Sequence, residues 1–257
     1  MLDSYDRTPA GAPGRLESTI AVLAKRKGYE FIEPQQASDE DIIRAHSERH
    51  IEKIKTDSEG GPEGQLERMA RLAAGGAILT GELSLRGEPV FGLIRPPGHH
   101  ASRNSNWGFC YYSNMAVTLL SLKARGLIDT AFVLDFDLHV GDGTINILGS
   151  KKAFTIHNPS GKGDESFLSD IRAALKKAPE YDVIAASAGF DQYVDDWGAN
   201  ISTAGFNEIG RTMHEFAEER CGGKCFGILE GGYNFQDLGK NVLAFCEGMK
   251  GRRAPPK

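Results

Sequence analysis

The sequence is short of the features that mark secreted, membrane-spanning or nucleic-acid-binding chains. Its 4 cysteines in 257 residues, Cys110, Cys221, Cys225 and Cys246, lack the spacing of a disulfide framework. Cys221 and Cys225 enclose CGGKC, but no second pair accompanies them, so they read as a turn into a strand and not as a metal knuckle. No apolar run is long enough to cross a bilayer, and the opening MLDSYDRTPAGAPGRLES carries no apolar signal core. Basic residues do not predominate: 30 Lys and Arg face 35 Asp and Glu, a formal net charge of −5, so there is no footprint for nucleic acid or for a membrane surface. These absences predict a cytoplasmic protein whose partner is small or loosely held. Internal repeats, low-complexity tracts and domain boundaries are also missing. The length suits one α/β domain over residues 1–257, and is too short for two enzymatic domains.

The amino-terminal residues 1–14, rich in Pro and Gly, predict a surface arm. Arg15 to Lys27 then has a helical apolar face, with Gly28 as a stop. Ser38 with Asp41 forms a capping box for a second helix through Lys55, which carries His46 and His50 at the surface or core edge. DSEGGPEG, Asp57 to Gly64, reads as a loop, and a third helix runs from Gln65 towards Leu83. Strands are expected near Val90 to Ile94, Ala131 to Leu134, Ala153 to Ile156, Asp182 to Ala186 and Phe226 to Leu229. Helices are expected near Ser113 to Arg125, Glu165 to Lys177, Thr203 to Arg220 and Gln236 to Lys250. Such alternation specifies an α/β fold with a mainly parallel central sheet and helices on both faces.

Each unusual polar cluster follows one of those strands: RPPGHH, DFDLHVGDG, IHNPSG, SAGFDQYVDD and LEGGYN. In open α/β sheets ligands bind at the carboxyl ends of the strands, so five loops converge on one crevice. In VLDFDLHVGDG a buried strand breaks into Asp135, Asp137, His139 and Asp142. Buried carboxylates need a counter-charge, and a divalent metal supplies one to Asp137 and His139. A third ligand comes from SAGFDQYVDD, where spacing leaves Asp191, Asp195 and Asp196 open. His99 and His100 can ligate or transfer protons, with Asp135 and Asp142 as acceptors for their remote ring N–H groups. Tyr233 can donate to a developing oxyanion.

RPPGHHA, GFCYYSN, LDFDLHVGDG, SAGFDQYVDD and LEGGYN, in this order, resemble the arginase-like histone deacetylase family, whose members include bacterial and archaeal amidohydrolases and acetylpolyamine deacetylases. RPPGHHA is closer to the class II branch. The resemblance runs from about Arg15 to about Met249. It implies the arginase-deacetylase fold and a zinc-dependent deacetylase with metal ligands Asp137, His139 and Asp196, a site that also suits Fe2+. It implies His100 as the proton shuttle and His99 as its electrostatic partner, oriented by Asp142 and Asp135 respectively. Tyr233 would polarise the scissile carbonyl, Phe109 would wall the substrate tunnel, and the Gly108 carbonyl would receive the substrate N–H. Asp135, Asp137, His139, Thr155 and Ile156 match positions that hold a monovalent cation, usually K+.

Three departures stand out. Val140 replaces a second His common in relatives, NPSGKGDESF after His157 is short and lacks the aromatic that usually faces Phe109, and the amino terminus lacks a His-rich entry segment. The implied reaction removes acetyl from an N-acetylated amine, acetyl-lysine or acetylpolyamine, to give free amine and acetate. Small or slender amines are favoured by the open wall and the negative charge. The rival readings are an arginase-like manganese ureohydrolase, which needs a second carboxylate set, and a non-catalytic protein that binds an acetylated ligand.

Overall fold

A computed structural model describes residues 8–59 and 65–252. Five strands, β1 (Val90–Gly92), β2 (Ala131–Asp135), β3 (Phe154–His157), β4 (Val183–Ala188) and β5 (Cys225–Leu229), form one sheet in the order β1-β5-β4-β2-β3. Every pairing is parallel, with Asp135 opposite Ser187 and Ala188 opposite Leu229. Successive strand side chains point to opposite faces, and the sheet divides the core accordingly. Phe132, Leu134, Ile184, Ala186 and Leu229 pack on one side with Phe167, Phe206, Met213 and Phe245; Ala131, Val133, Val183, Ala185, Phe226 and Ile228 pack on the other with Ala73, Met115, Leu119 and Leu122. The first layer is built from α1 (Glu17–Leu23), α7 (Gly163–Lys177), α8 (Thr203–Arg220) and α9 (Leu238–Met249). The second uses α2 (Asp39–Ala45), α3 (Glu48–Glu59), α4 (Gln65–Ser84), α5 (Asn114–Ala124) and α6 (Asp142–Leu148). Among the described residues no helix is long and apolar enough to cross a membrane.

The expected strands all form, and the departures have local causes. The helix expected to run through Lys55 breaks between α2 and α3. His46 adopts extended angles there (φ −117°, ψ 156°), and the Ser47 N–H turns out of the helical ladder to the Arg103 carbonyl at 3.0 Å. Its cap is as expected, Ser38 Oγ accepting from the Asp41 N–H at 3.1 Å. The Asp57 to Gly64 loop is helical as far as Glu59, and residues 60–64 lie outside the described residues. The first helix stops at Leu23. Within the expected surface arm, Ala10 and Gly11 are buried, because the Arg95 guanidinium donates to the Gly11 and Ala12 carbonyls at 3.0 and 2.7 Å; residues 1–7 lie outside the description. The short α6 had no sequence forecast, since its GDG start reads as a turn. Gly143 admits the helix instead: a Cβ there would meet the Ala101 backbone N at 2.5 Å.

Candidate active site

The loops after β1, β2, β4 and β5 meet at the carboxyl edge of the sheet, where Asp137, His139 and Asp191 place their ligand atoms within 4.8 Å of one another. His139 Nδ1 lies 3.3 Å from Asp137 Oδ1 and 3.5 Å from Asp191 Oδ2. Asp137 Oδ2 accepts the Gly231 N–H at 2.8 Å and Asp191 Oδ1 accepts the Leu138 N–H at 3.1 Å. Among the described residues the buried Asp191 Oδ2 accepts no hydrogen bond. Burial, and then the neighbouring charge of Asp137, pushes the Asp191 carboxyl up to about 7. A bare buried oxygen beside a second carboxylate and an imidazole is a donor set that fits a divalent cation.

The assignment of Asp196 as third ligand is corrected. Its carboxylate is taken up by backbone donors: Oδ2 accepts from the Tyr233 and Asn234 N–H groups, both at 2.7 Å, and Oδ1 from the Trp197 N–H at 2.8 Å. Asp196 therefore staples the loop after β4 to the turn after β5. Of the three acids that spacing left open, Asp191 stands nearest the end of β4. Two glycines allow the close approach: a Cβ at Gly189 would meet Asp137 Oδ2 at 2.2 Å, and one at Gly231 would meet Asp137 Oδ2 and Asp191 Oδ2 at 2.6 Å.

His99 and His100 are both buried, with ring centroids 4.0 Å apart. His99 Nδ1 faces Asp135 Oδ2 at 3.3 Å and its Nε2 faces Asp137 Oδ1 at 3.6 Å. Burial opposes a charged ring there, but Asp137 and Asp135 outweigh it and hold His99 well above the ordinary histidine value. His100 Nδ1 donates to Asp142 Oδ1 at 2.6 Å. Its own affinity for a second proton falls to about 4, through burial and then the charge of His99, despite Asp142. Asp142 stays below the usual carboxylate range: partial burial works against this, and hydrogen bonds from His100 and Trp107 overcome it.

Three residues that sequence reasoning passed over hold this arrangement. Glu230 at the end of β5 is fully buried, and its Oε2 accepts the N–H groups of Gly98 at 2.6 Å and His99 at 3.2 Å, fixing the turn that carries the histidines. The buried Arg15 donates to the carbonyls of Glu230 and Gly232, with its guanidinium 5.3 Å from the Tyr233 ring centroid. Trp197 stacks on Tyr233 at 4.1 Å and 27°. An acid inside LEGGYN, at a strand end, was the available signal for Glu230; nothing local marked Arg15 or Trp197.

A cavity of about 160 Å³ is lined by His99, His100, Asp137 and His139 together with Trp107, Phe109, Trp197 and Tyr233. Phe109 meets Tyr233 edge-on at 6.1 Å. Gly108 and Phe109 both have positive φ, 59° and 65°, and a Cβ at Gly108 would come within 2.4 Å of the His100 ring. The wall that looked open in the sequence is thus faced by indoles from other loops. Burial holds the Tyr233 phenol neutral, well above the ordinary tyrosine value.

The residues expected to hold a monovalent cation lie at and beside the ends of β2 and β3. The Asp135 carbonyl receives the Asn158 amide at 3.2 Å and the Asp137 carbonyl the Gln192 amide at 3.4 Å. Thr155 is exposed, its hydroxyl 2.6 Å from that of Tyr181, and Ile156 is half-buried. A second grouping of ligand types, His99, Cys110 and Glu230, is fully buried, and backbone N–H groups occupy its carboxylate. It does not supply the carboxylate set that a two-metal arginase site needs. His46 and His50, expected at the surface or core edge, are buried: His46 Nδ1–H donates to the Ser102 carbonyl at 3.0 Å and its Nε2 accepts the Ser113 N–H at 2.9 Å.

The histone deacetylase domain profile matches residues 10–156 and 146–249. A probable deacetylase of Methanothermobacter thermautotrophicus is 30% identical over 88% of this chain and 81% of its own length. A histone deacetylase-like amidohydrolase of Pseudomonas aeruginosa is 28% identical over 93% of this chain and 76% of its own. The human polyamine deacetylase HDAC10 is 25% identical over 95% of this chain and 45% of its own. The crystal structure of the HDA15 HD domain superposes with a TM-score of 0.84 at 24% identity, covering 97% of this chain and 86% of that one, which establishes the likeness of fold. With its profile, its relatives and its parallel α/β architecture in agreement, the chain belongs to the histone deacetylase family.

Proposed function

We propose that the chain is a metal-dependent amidohydrolase that removes the acetyl group from an N-acetylated amine. The observation that carries this reading is the buried Asp191 Oδ2, without a hydrogen bond among the described residues and 3.5 Å from His139 Nδ1, grouped with Asp137 and His139, which themselves line the cavity shared by His100 and Tyr233. A divalent ion held by Asp137, His139 and Asp191, zinc or ferrous iron, would supply Lewis-acid polarisation of the acetyl carbonyl and acidify the attacking water. The remaining steps belong to the chain. His100 is neutral at pH 7, and Asp142 occupies its Nδ1, which leaves Nε2 to take the water proton and return it to the departing amine nitrogen. Tyr233 is a neutral phenol that donates to the carbonyl oxygen as negative charge gathers there. The Gly108 carbonyl accepts the substrate N–H, Phe109 and the two tryptophans exclude water, and Glu230 and Asp135 hold the His99–His100 turn in register.

The substrate class is an N-acetylated amine with a slender stem, and a net charge of −5 favours one that carries further positive charge. The likeness to HDAC10, named a polyamine deacetylase, supports that direction. Turnover of acetylspermidine, acetylputrescine and an acetyl-lysine peptide should be measured at one salt concentration, before and after chelation and after zinc is restored. Acetate release that stops with chelator and returns with zinc is the expected result. Release that persists in the metal-free protein would sink the reading, and a tenfold preference for the peptide in kcat/KM would overturn the choice of polyamine.

A further inference from the structure

Tryptophan is scarce in this chain, 2 in 257 residues, and both indoles stand about half exposed at the cavity. Leaving so large an apolar side chain in water forgoes its burial, so its contacts at that position are informative. Trp107 lies flat on the His100 imidazole, centroids 3.7 Å apart and planes inclined by 30°. Its Nε1–H reaches past the ring to Asp142, 2.9 Å from Oδ2 and 3.2 Å from Oδ1. Asp142 Oδ1 is also the atom that accepts from His100 Nδ1. A single side chain therefore touches both members of the acid–imidazole pair, the ring through its face and the carboxylate through its edge.

We infer that Trp107 is a positioning residue for proton transfer, clamping Asp142 and His100 in one arrangement and stabilising the imidazole while it carries the extra proton. The inference rests on the reading of His100 as proton carrier. The Asp142 side chain is 51% exposed, so without the clamp it would hydrate and sample other rotamers. The indole N–H fixes its outer oxygen and leaves the inner one aimed at His100. The π face attracts positive charge, and that charge exists on His100 only between taking the proton and releasing it. An interaction made at that stage and not with bound substrate raises kcat and leaves KM alone.

Two measurements test this. In protein labelled with 15N at the indoles, with Trp197→Phe used to assign the two signals, the Trp107 N–H should be shifted downfield and slow to exchange with water. Both properties should disappear in Asp142→Ala, which removes both acceptor oxygens. This readout needs no substrate, so it decides the clamp even if no acetylated amine is turned over and the proposed reaction fails. In kinetics, Trp107→Phe keeps the ring and loses the N–H, whereas Trp107→Ala loses both. The kcat should fall about tenfold in the first and further in the second, with KM within about twofold of the parent. An N–H exchanging as fast as free indole overturns the inference. So does a rise in KM at constant kcat, which would make the ring a substrate wall, or a kcat deficit confined to Trp107→Ala, which would remove the N–H from the role.

Discussion

Two pairs of histidines are buried in this protein, and they differ in what surrounds them. His46 and His50 stack with ring centroids 4.9 Å apart, and the rings of His99 and His100, 4.0 Å apart, are tilted by 39°. The first pair is met by the backbone: His46 lies between the Ser102 carbonyl and the Ser113 N–H, and His50 Nε2–H donates to the Tyr111 carbonyl at 2.8 Å. Because His46 has one donor and one acceptor for partners, the ring is fixed in one neutral tautomer. Burial, and then the proximity of His50, lowers its proton affinity to about 3. The second pair is met by Asp135, Asp137 and Asp142. A carboxylate favours a charged ring more strongly than a carbonyl does, so His99 is held well above the ordinary histidine value while the carbonyl-bonded His46 is not, and the second pair alone has the charged partners that the proposed proton transfer needs.

The sharpest way to break this comparison is to remove the carboxylates. Asp191→Asn should strip the metal and, with it, essentially all turnover, while Asp196→Asn should keep about one equivalent of metal and perturb only the Tyr233 turn. Metal analysis of the two variants checks this, and the opposite pattern would restore Asp196 as the ligand. Next in size, His100→Ala should lose about 10²- to 10⁴-fold in kcat with its thermal midpoint nearly unchanged. His46→Ala should behave in reverse, with normal kcat per folded molecule but a loss of about 2–4 kcal/mol in urea unfolding, since it orphans the Ser113 N–H and the Ser102 carbonyl. Equal kinetic damage from both variants would mean that the pairs do not differ as described.

The smallest effect is a dependence on pH. His46 binds its second proton near 3 when folded and near 6.5 when unfolded. The unfolded chain therefore takes up more protons between those values. The stability that this group contributes is complete above about pH 6.5 and declines as pH falls towards 3. Urea midpoints at pH 7 and 5 should fall more steeply for the parent than for His46→Ala, and parallel declines would show that His46 is not held neutral.

Much of the fold was legible because parallel strands buried on both faces are short apolar runs, and each of the five ended in a cluster too polar to be core. Asp137 and His139, which sequence spacing could bring together, are together, and so are His100 and Asp142, which the family resemblance paired. The failures lie where a distant element decides. Spacing left Asp191, Asp195 and Asp196 open and the resemblance chose Asp196, but the turn after β5 occupies Asp196 with backbone N–H groups. The break at His46 comes from contacts with Ser102, Arg103 and Ser113, more than fifty residues away, which no local helix propensity encodes. The missing tunnel aromatic was sought in the loop after His157, whereas the indoles arrive on the loops carrying Gly108 and Asp196.

Gly189 and Gly231 have a bearing on mutational scanning. Each lies where a single added methyl would push into the carboxylates of Asp137 or Asp191. A saturation library scored by activity should rank these two glycines as intolerant as the proposed ligands, although neither offers a side chain to the reaction. Read naively, such a map adds two positions to the apparent catalytic set. Separating the classes takes a second score for metal retention: a ligand substituted by its amide should lose the ion with the backbone in place, while Gly231→Ala should displace both carboxylates together.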